Sequence, residues 1–166
     1  ATMKTLLHIT TFENVIVTGA PIHKAYAEDS NYNRYLLLGD KVDGEMSFRE
    51  LLLRVNETVN GAIENQYYPF ENLVKSLNLD ESRLYRTILL LENIHDPELL
   101  EPVLPHNDLL FSFRRNGQNV EVTVHYREDL YSAASIGLLV DRFGQVLAQV
   151  TAAVDTKLQQ IRFSEP

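Results

Sequence analysis

The chain has 166 residues with 15 lysine and arginine side chains against 23 aspartates and glutamates, a net charge of −8, and no cysteine. A chain of this length forms one domain, or one lobe of a larger one, and buries roughly 70% of its unfolded surface without staples. The acidic balance supplies no clustered positive field for phosphates and argues against a nucleic-acid partner, while the lack of cysteine excludes disulfides, thiolate metal sites and a cysteine nucleophile.

Taken in chain order, "MKTLLHITTF" reads as a short helix with Leu6, Leu7 and Phe12 available for packing. "NVIVTGAPI" reads as a buried strand, its β-branched Val15, Ile16 and Val17 followed by the punctuating Gly19 and Pro21. Residues 24–34 are polar and read as a loop, and "YLLLGDKV" as a second strand. Ser47 and Glu50 have the spacing of a capping box. The helix they open is expected to run to about Glu64, with Leu51, Leu52, Val55, Val59, Ala62 and Ile63 on one face. Pro69 disfavours helical geometry at Tyr68 yet suits the first turn of a new helix, so "NQYYPFENLV" is a helix-to-helix corner.

Beyond the corner, "YRTILLLEN" reads as a central strand, and residues 94–107, with three prolines, as irregular. Leu109, Phe111 and Phe113 alternate on one arm of a hairpin and Val120, Val122, Val124 and Tyr126 on the other, around Asn116-Gly117. A long helix capped by Ser132 follows, with Ile136, Leu139, Val140, Phe143, Leu147, Val150 and Val154 in one stripe. The tail "TKLQQIRFSEP" reads as an exit linker. The expected architecture is a layered α/β (α+β) sandwich, a mixed β-sheet with helices packed on it. It is not doubly wound, because "VTGAP" has one glycine and cannot cradle a pyrophosphate. No apolar run approaches the ~20 residues of a membrane helix, and no signal peptide pattern opens the chain, so no membrane partner and a cytoplasmic location are expected.

His8, His23, His95, His106 and His125 fall in no metal-ligand pattern and read as surface or turn histidines. His106 with Asp108 is the one candidate Asp-His pair, in a proline-flanked loop. No G-x-S-x-G elbow is present, and Asp80-Glu81 and Glu128-Asp129 resemble turn residues more than glycosidase acids. The residues show no complete catalytic constellation and no metal site, so no catalytic residue is assigned.

The corner "NQYYPFE" resembles the (H/N)-Q-D-Y-P-F-E signature of nonribosomal peptide synthetase condensation domains, with Asn65, Gln66, Tyr68, Pro69, Phe70 and Glu71 matching and Tyr67 replacing the aspartate. "IVTGAPIHK" is similar to the family's "VVGTPVAGR" strand and turn, and "DGEMSFRELLLRVNETV" to its helix opening G-x-x-S-F-x-E-L-L. "SRLYRTILLLEN" resembles "SRNPLFQVMFVLQN", keeping Ser82, Arg83, Leu84 and Asn93. Residues 107–136 resemble the family's closing hairpin and the start of its last helix. The ordered likeness spans nearly all of residues 4–160.

The resemblance implies a chloramphenicol-acetyltransferase-like lobe. Residues 1–160 would be the C-terminal, acceptor-side lobe of a condensation domain, and 161–166 the start of a linker to a following module. The whole domain would join a carrier-bound acyl donor to a carrier-bound aminoacyl acceptor in a peptide bond. The H-H-x-x-x-D-G motif belongs to the N-terminal lobe, so this chain is expected to be inactive alone. Implied partners are that lobe and peptidyl or acyl carrier proteins bearing phosphopantetheine arms, with no cofactor bound directly. Gly19, Pro21, Arg34, Tyr35 and Arg83 are the implied tunnel or lobe-interface candidates; the corner residues, Ser82 and Asn93 are read as mainly structural.

Three departures stand against the family pattern. Arg34 and Tyr35 occupy the place of Asn-Thr in "G-x-F-V-N-T", the Asn-Pro after Arg83 is deleted, and Tyr67 replaces aspartate. They leave as alternatives a non-catalytic docking or scaffold module and a lobe of an epimerisation or heterocyclisation relative.

Overall fold

The computed structural model describes residues 1–26, 33–76, 78, 84–101 and 104–164. The described helices are α1 (Thr2–Thr11), α2 (Phe48–Glu64), α3 (Phe70–Ser76) and α4 (Ala133–Ala152). The strands are β1 (Val15–Pro21), β2 (Tyr35–Lys41), β3 (Thr87–Leu91), β4 (Leu109–Asn116) and β5 (Asn119–Tyr126). They form one mixed sheet in the order β2-β1-β3-β4-β5. The most apolar strand, β3, takes the centre, parallel to both β1 and β4, while β4 and β5 close an antiparallel hairpin. This is the mixed α/β architecture read from the sequence.

Local signals explain the helix starts. Glu50 Oε2 accepts from Ser47 N at 2.6 Å while Ser47 Oγ accepts from Glu50 N at 3.2 Å, the reciprocal capping box. Ser132 Oγ accepts from Ser135 N at 3.1 Å and caps α4. In the hairpin, Asn116 pairs with Asn119, so the two loop residues are Gly117 and Gln118, one position later than the Asn116-Gly117 reading. Gly117 has φ of 61°, which a glycine at the first loop position adopts without a Cβ penalty.

The chain divides into two compact units, Ala1–Val17 with Gly39–Val59 and Tyr131–Pro166, and Thr18–Leu38 with Asn60–Leu130. In the first, α1 packs on α4, and Leu6, Leu51, Val146, Val150 and Leu158 are buried. Its least expected feature is a buried ion pair. Lys4 and Asp40 are 2% and 3% exposed, with Lys4 Nζ 2.7 Å from Asp40 Oδ2. The ammonium also donates to Ile16 O at 3.1 Å, and Asp40 Oδ1 accepts from Thr58 Oγ1 at 2.6 Å. Burial pushes the Lys4 pKa down and the Asp40 partner opposes that shift.

In the second unit, Tyr85, Ile88, Leu90, Leu100 and Leu110 form the core, with Tyr35, Leu37, Phe70 and Leu84 against it. Asn107 Nδ2 donates to Tyr85 O at 2.9 Å and Leu109 O at 2.8 Å, joining the start of β3 to that of β4.

Several packing expectations are corrected. Phe12 does not pack: it follows α1 in a left-handed conformation, φ 58°, and is 87% exposed. β1 is not buried throughout. Ile16 and Thr18 are buried while Val15 and Val17 face outward, as a period of two demands when one face is covered. On α2 the covered stripe runs through Phe48, Leu51, Val55 and Ala62, leaving Leu52 and Ile63, each one residue and about 100° further round, exposed. On α4, Val146 takes the buried place and Leu147 is exposed. The tail read as a linker carries the buried Leu158 and Ile161, and its Lys157 pairs with Ser47 in an isolated bridge.

Candidate functional site

The corner after α2 is built from backbone turns and one distant clamp. Asn65 N donates to Gly61 O at 3.2 Å, Gln66 N to Ile63 O at 3.3 Å and Tyr68 N to Asn65 O at 3.0 Å. Asn65 Nδ2 also donates to Gly61 O at 2.8 Å, satisfying a carbonyl in the last turn of α2. Pro69, with no N–H to place, sits immediately before α3. The clamp is Asn33. Its Nδ2 donates to Tyr68 O at 2.6 Å, its Oδ1 accepts from Phe70 N at 3.3 Å, and its backbone N donates to Gln66 O at 2.9 Å.

Beneath this clamp lies a cavity of about 350 Å³ lined by Tyr35, Leu36, Leu37, Gln66, Tyr68 and Phe70, with Asn33, Ala62 and Asn65 at its wall. Phe70 and Tyr35 both rest on the Tyr85 ring, with centroids 5.7 Å apart in each case, which ties the cavity wall to the core. Burial pushes the Tyr35 phenol pKa up, so the ring keeps its proton. Among the described residues, no charged side chain lines the cavity. Gln66 is 6% exposed and its side-chain amide has no hydrogen-bond partner among the described residues. A larger open cleft of about 710 Å³ in the first unit differs in kind: its Glu50, Asp43 and Arg54 are held by Ser47 N, Glu45 N and Lys41 O.

The site residues read from the sequence therefore divide. Asn65, Gln66, Tyr68, Phe70 and Tyr35 converge on the cavity, with Pro69 and Glu71 at the start of α3. Tyr68 is 52% exposed at the cavity wall. Gly19 sits on β1, where an added Cβ would meet Ile88 Cγ1 at 3.4 Å, and Pro21 ends that strand. Arg34 is exposed, its carbonyl accepting from Ile22 N at 3.1 Å. Asn93 Oδ1 accepts from Arg115 N at 2.9 Å, away from the cavity. Ser82 and Arg83 lie outside the described residues. Asn33 was missed, because nothing in a polar loop signals a bond to a residue 35 positions away. Replacing Asn33 with alanine is expected to lower stability by about 1–3 kcal/mol, since it strips two partners from the corner. Urea unfolding checks this, and serine should recover part of the loss.

Of the candidate Asp-His pair, Asp108 is held by two arginines, while the His106 side chain lies outside the described residues. Asp108 Oδ2 lies 2.7 Å from Arg86 Nε and Oδ1 lies 3.5 Å from Arg127 Nη1. No group of three or more His, Cys, Asp or Glu side chains among the described residues is placed to hold a metal ion. His23 and His95 meet in an isolated bridge, and His95 Nδ1 accepts from Leu91 N at 3.1 Å. Burial first, then His23, pushes His95 from 6.5 down to about 4. The ring stays neutral in the fold while the unfolded chain charges near 6.5, so stability is full above pH 6.5 and falls as pH drops towards 4. About 1 kcal/mol should be lost between pH 7.5 and 5.5. His95→Gln, which keeps an acceptor for Leu91 N, should flatten that slope in urea midpoints; an unchanged slope contradicts the assignment.

The family model described as "Condensation domain" matches residues 35–165. The chain belongs to the condensation-domain family. It is similar to gramicidin S synthase 2 of Brevibacillus brevis, 26% identical over 182 residues, covering 97% of this chain and 4% of that protein. It is also similar to the probable non-canonical nonribosomal peptide synthetase CymA of Salinispora arenicola (strain CNS-205), 30% identical over 146 residues, covering 79% of this chain and 2% of that protein. The chain thus spans a few per cent of these synthetases. Among solved structures, the starter condensation domain of rhizomide synthetase RzmA superposes with a TM-score of 0.75 at 16% identity, covering 99% of this chain and 43% of that chain. The X-domain structure from teicoplanin biosynthesis, in complex with OxyB, gives 0.75 at 20% identity over 99% of this chain and 42% of that one. These likenesses establish the fold. No helix among the described residues is long and apolar enough to cross a membrane.

Proposed function

We infer that this chain is the C-terminal, acceptor-side lobe of a two-lobed condensation domain in a nonribosomal peptide synthetase. The observation that carries the reading is the coverage: 99% of this chain matches 43% of a condensation-domain chain, with the family match running through residues 35–165. In this role the lobe supplies one wall of the cleft in which a carrier-bound acyl donor meets the amine of a carrier-bound aminoacyl acceptor. The phosphopantetheine arms of the carriers bring the thioesters in. The H-H-x-x-x-D-G histidine of the companion lobe acts at the amine, where a base must lie within hydrogen-bond reach. This chain's contribution is positional: holding two tethered reactants in one geometry turns an encounter into an effectively unimolecular step. Gly19, Pro21, Arg34, Tyr35 and Arg83 are the proposed tunnel or interface residues, and Asn65–Glu71 the corner that shapes the wall.

The three departures from the family pattern favour a second reading, a docking or scaffold module that keeps the fold without the reaction. The coding sequence that precedes this chain in its parent gene separates the two. An intact H-H-x-x-x-D-G there supports the condensing lobe, and a decayed motif supports the scaffold.

A further inference from the structure

We propose that the corner cavity is a binding site for a small neutral amide carrying an apolar substituent, recognised by the side-chain amide of Gln66. A buried amide with neither donor nor acceptor engaged is rare, because folding normally pairs such groups. Gln66 is 6% exposed, has no partner among the described residues, and lines the cavity without being sealed from it. Its neighbours are already committed. Asn33 spends its amide on Tyr68 O and Phe70 N, and Asn65 Nδ2 on Gly61 O. Gln66 therefore turns a free polar group towards that space.

The rest of the lining sets the ligand class. Leu36, Leu37, Ala62 and the Phe70 and Tyr35 rings offer an apolar wall, and among the described residues none that lines it is charged to offset a ligand charge. A carboxylate or ammonium would lose its hydration with no counter-ion, so a neutral ligand is selected. A primary amide, which has an N–H on the same side as its carbonyl, completes Gln66 reciprocally: Nε2–H donates to the ligand carbonyl, and Oε1 accepts from the ligand N–H. A volume of about 350 Å³ sits at the small end of the ~300–1,000 Å³ range of ligand pockets, which suits a fragment-sized group. The site has the same ligand class whether or not the parent domain condenses peptides.

The test titrates ¹⁵N-labelled chain with three probes of one shape: hexanamide, 2-heptanone and hexanoate. The expected result is a saturable shift of the Gln66 side-chain NH₂ resonance with hexanamide, an affinity severalfold above 2-heptanone, and at least tenfold above hexanoate. In Gln66→Leu the order of the neutral probes should invert, 2-heptanone binding better than hexanamide. Ala62→Leu, which fills the cavity from α2 and leaves Gln66 in place, should abolish saturable binding of all three. The proposal is overturned if the Gln66 NH₂ resonance stays put at saturating hexanamide. Equal affinities for the three probes, or unchanged binding in Ala62→Leu, overturn it as well. Because the readout is binding alone, its failure leaves the lobe assignment standing, and failure of the lobe assignment leaves the cavity's chemistry intact.

Discussion

Lys4→Ala is expected to destabilise the chain by about 3–5 kcal/mol at pH 7, the cost of leaving a buried charge without its partner. The substitution removes the ammonium that lies 2.7 Å from Asp40 Oδ2 and supports Ile16 O. What remains is a carboxylate 3% exposed, still accepting from Thr58 Oγ1. The pair itself need not be a net source of stability, because desolvation consumes much of the Coulomb gain. Lys4→Met with Asp40→Leu should therefore recover at least half of the loss, both charges having gone together. Urea midpoints of the single and double variants decide it. A double variant no better than Lys4→Ala would mean that packing at Lys4, rather than orphaned charge, carries the cost.

The second large effect is Phe111→Ala, expected to cost about 3–5 kcal/mol as a large core truncation that leaves a cavity. Phe111 is fully buried on β4, its ring stacked on Phe113 with centroids 6.4 Å apart. Val120→Ala on the facing strand should change stability by less than about 0.5 kcal/mol, since Val120 is 61% exposed on β5. Both residues read alike in the sequence, as apolar members of an alternating hairpin. Comparable losses from the two would show that β5 is covered in solution.

That contrast marks where the sequence is informative. Signals confined to a few residues were legible: the Ser47–Glu50 box spans four residues, and the hairpin alternation fixes its own register. The central place of β3 followed from its unbroken apolar run. Helical periodicity gave the stripes but not their edges. One residue of rotation separates buried Leu51 from exposed Leu52, and buried Val146 from exposed Leu147. Long-range polar pairing was invisible. Lys4 and Asp40 each look like ordinary surface charges until the fold joins them, and Asn33 looks like a loop asparagine until it meets the corner. The corner was recognised as a motif, but a motif does not show that Gln66 lines a cavity. For the same reason the deep placement of Leu158 and Ile161, in a segment composed like a linker, had no local signal.

The lobe assignment meets its most direct test in intact-protein mass spectrometry of condensation between a donor-loaded and an acceptor-loaded carrier protein. The chain alone should transfer nothing, and mixing it with a separately expressed H-H-x-x-x-D-G lobe from its own parent synthetase should yield peptidyl thioester on the acceptor carrier. Turnover by the isolated chain, or none from the reassembled pair when the same two lobes joined in one polypeptide are active, would contradict it.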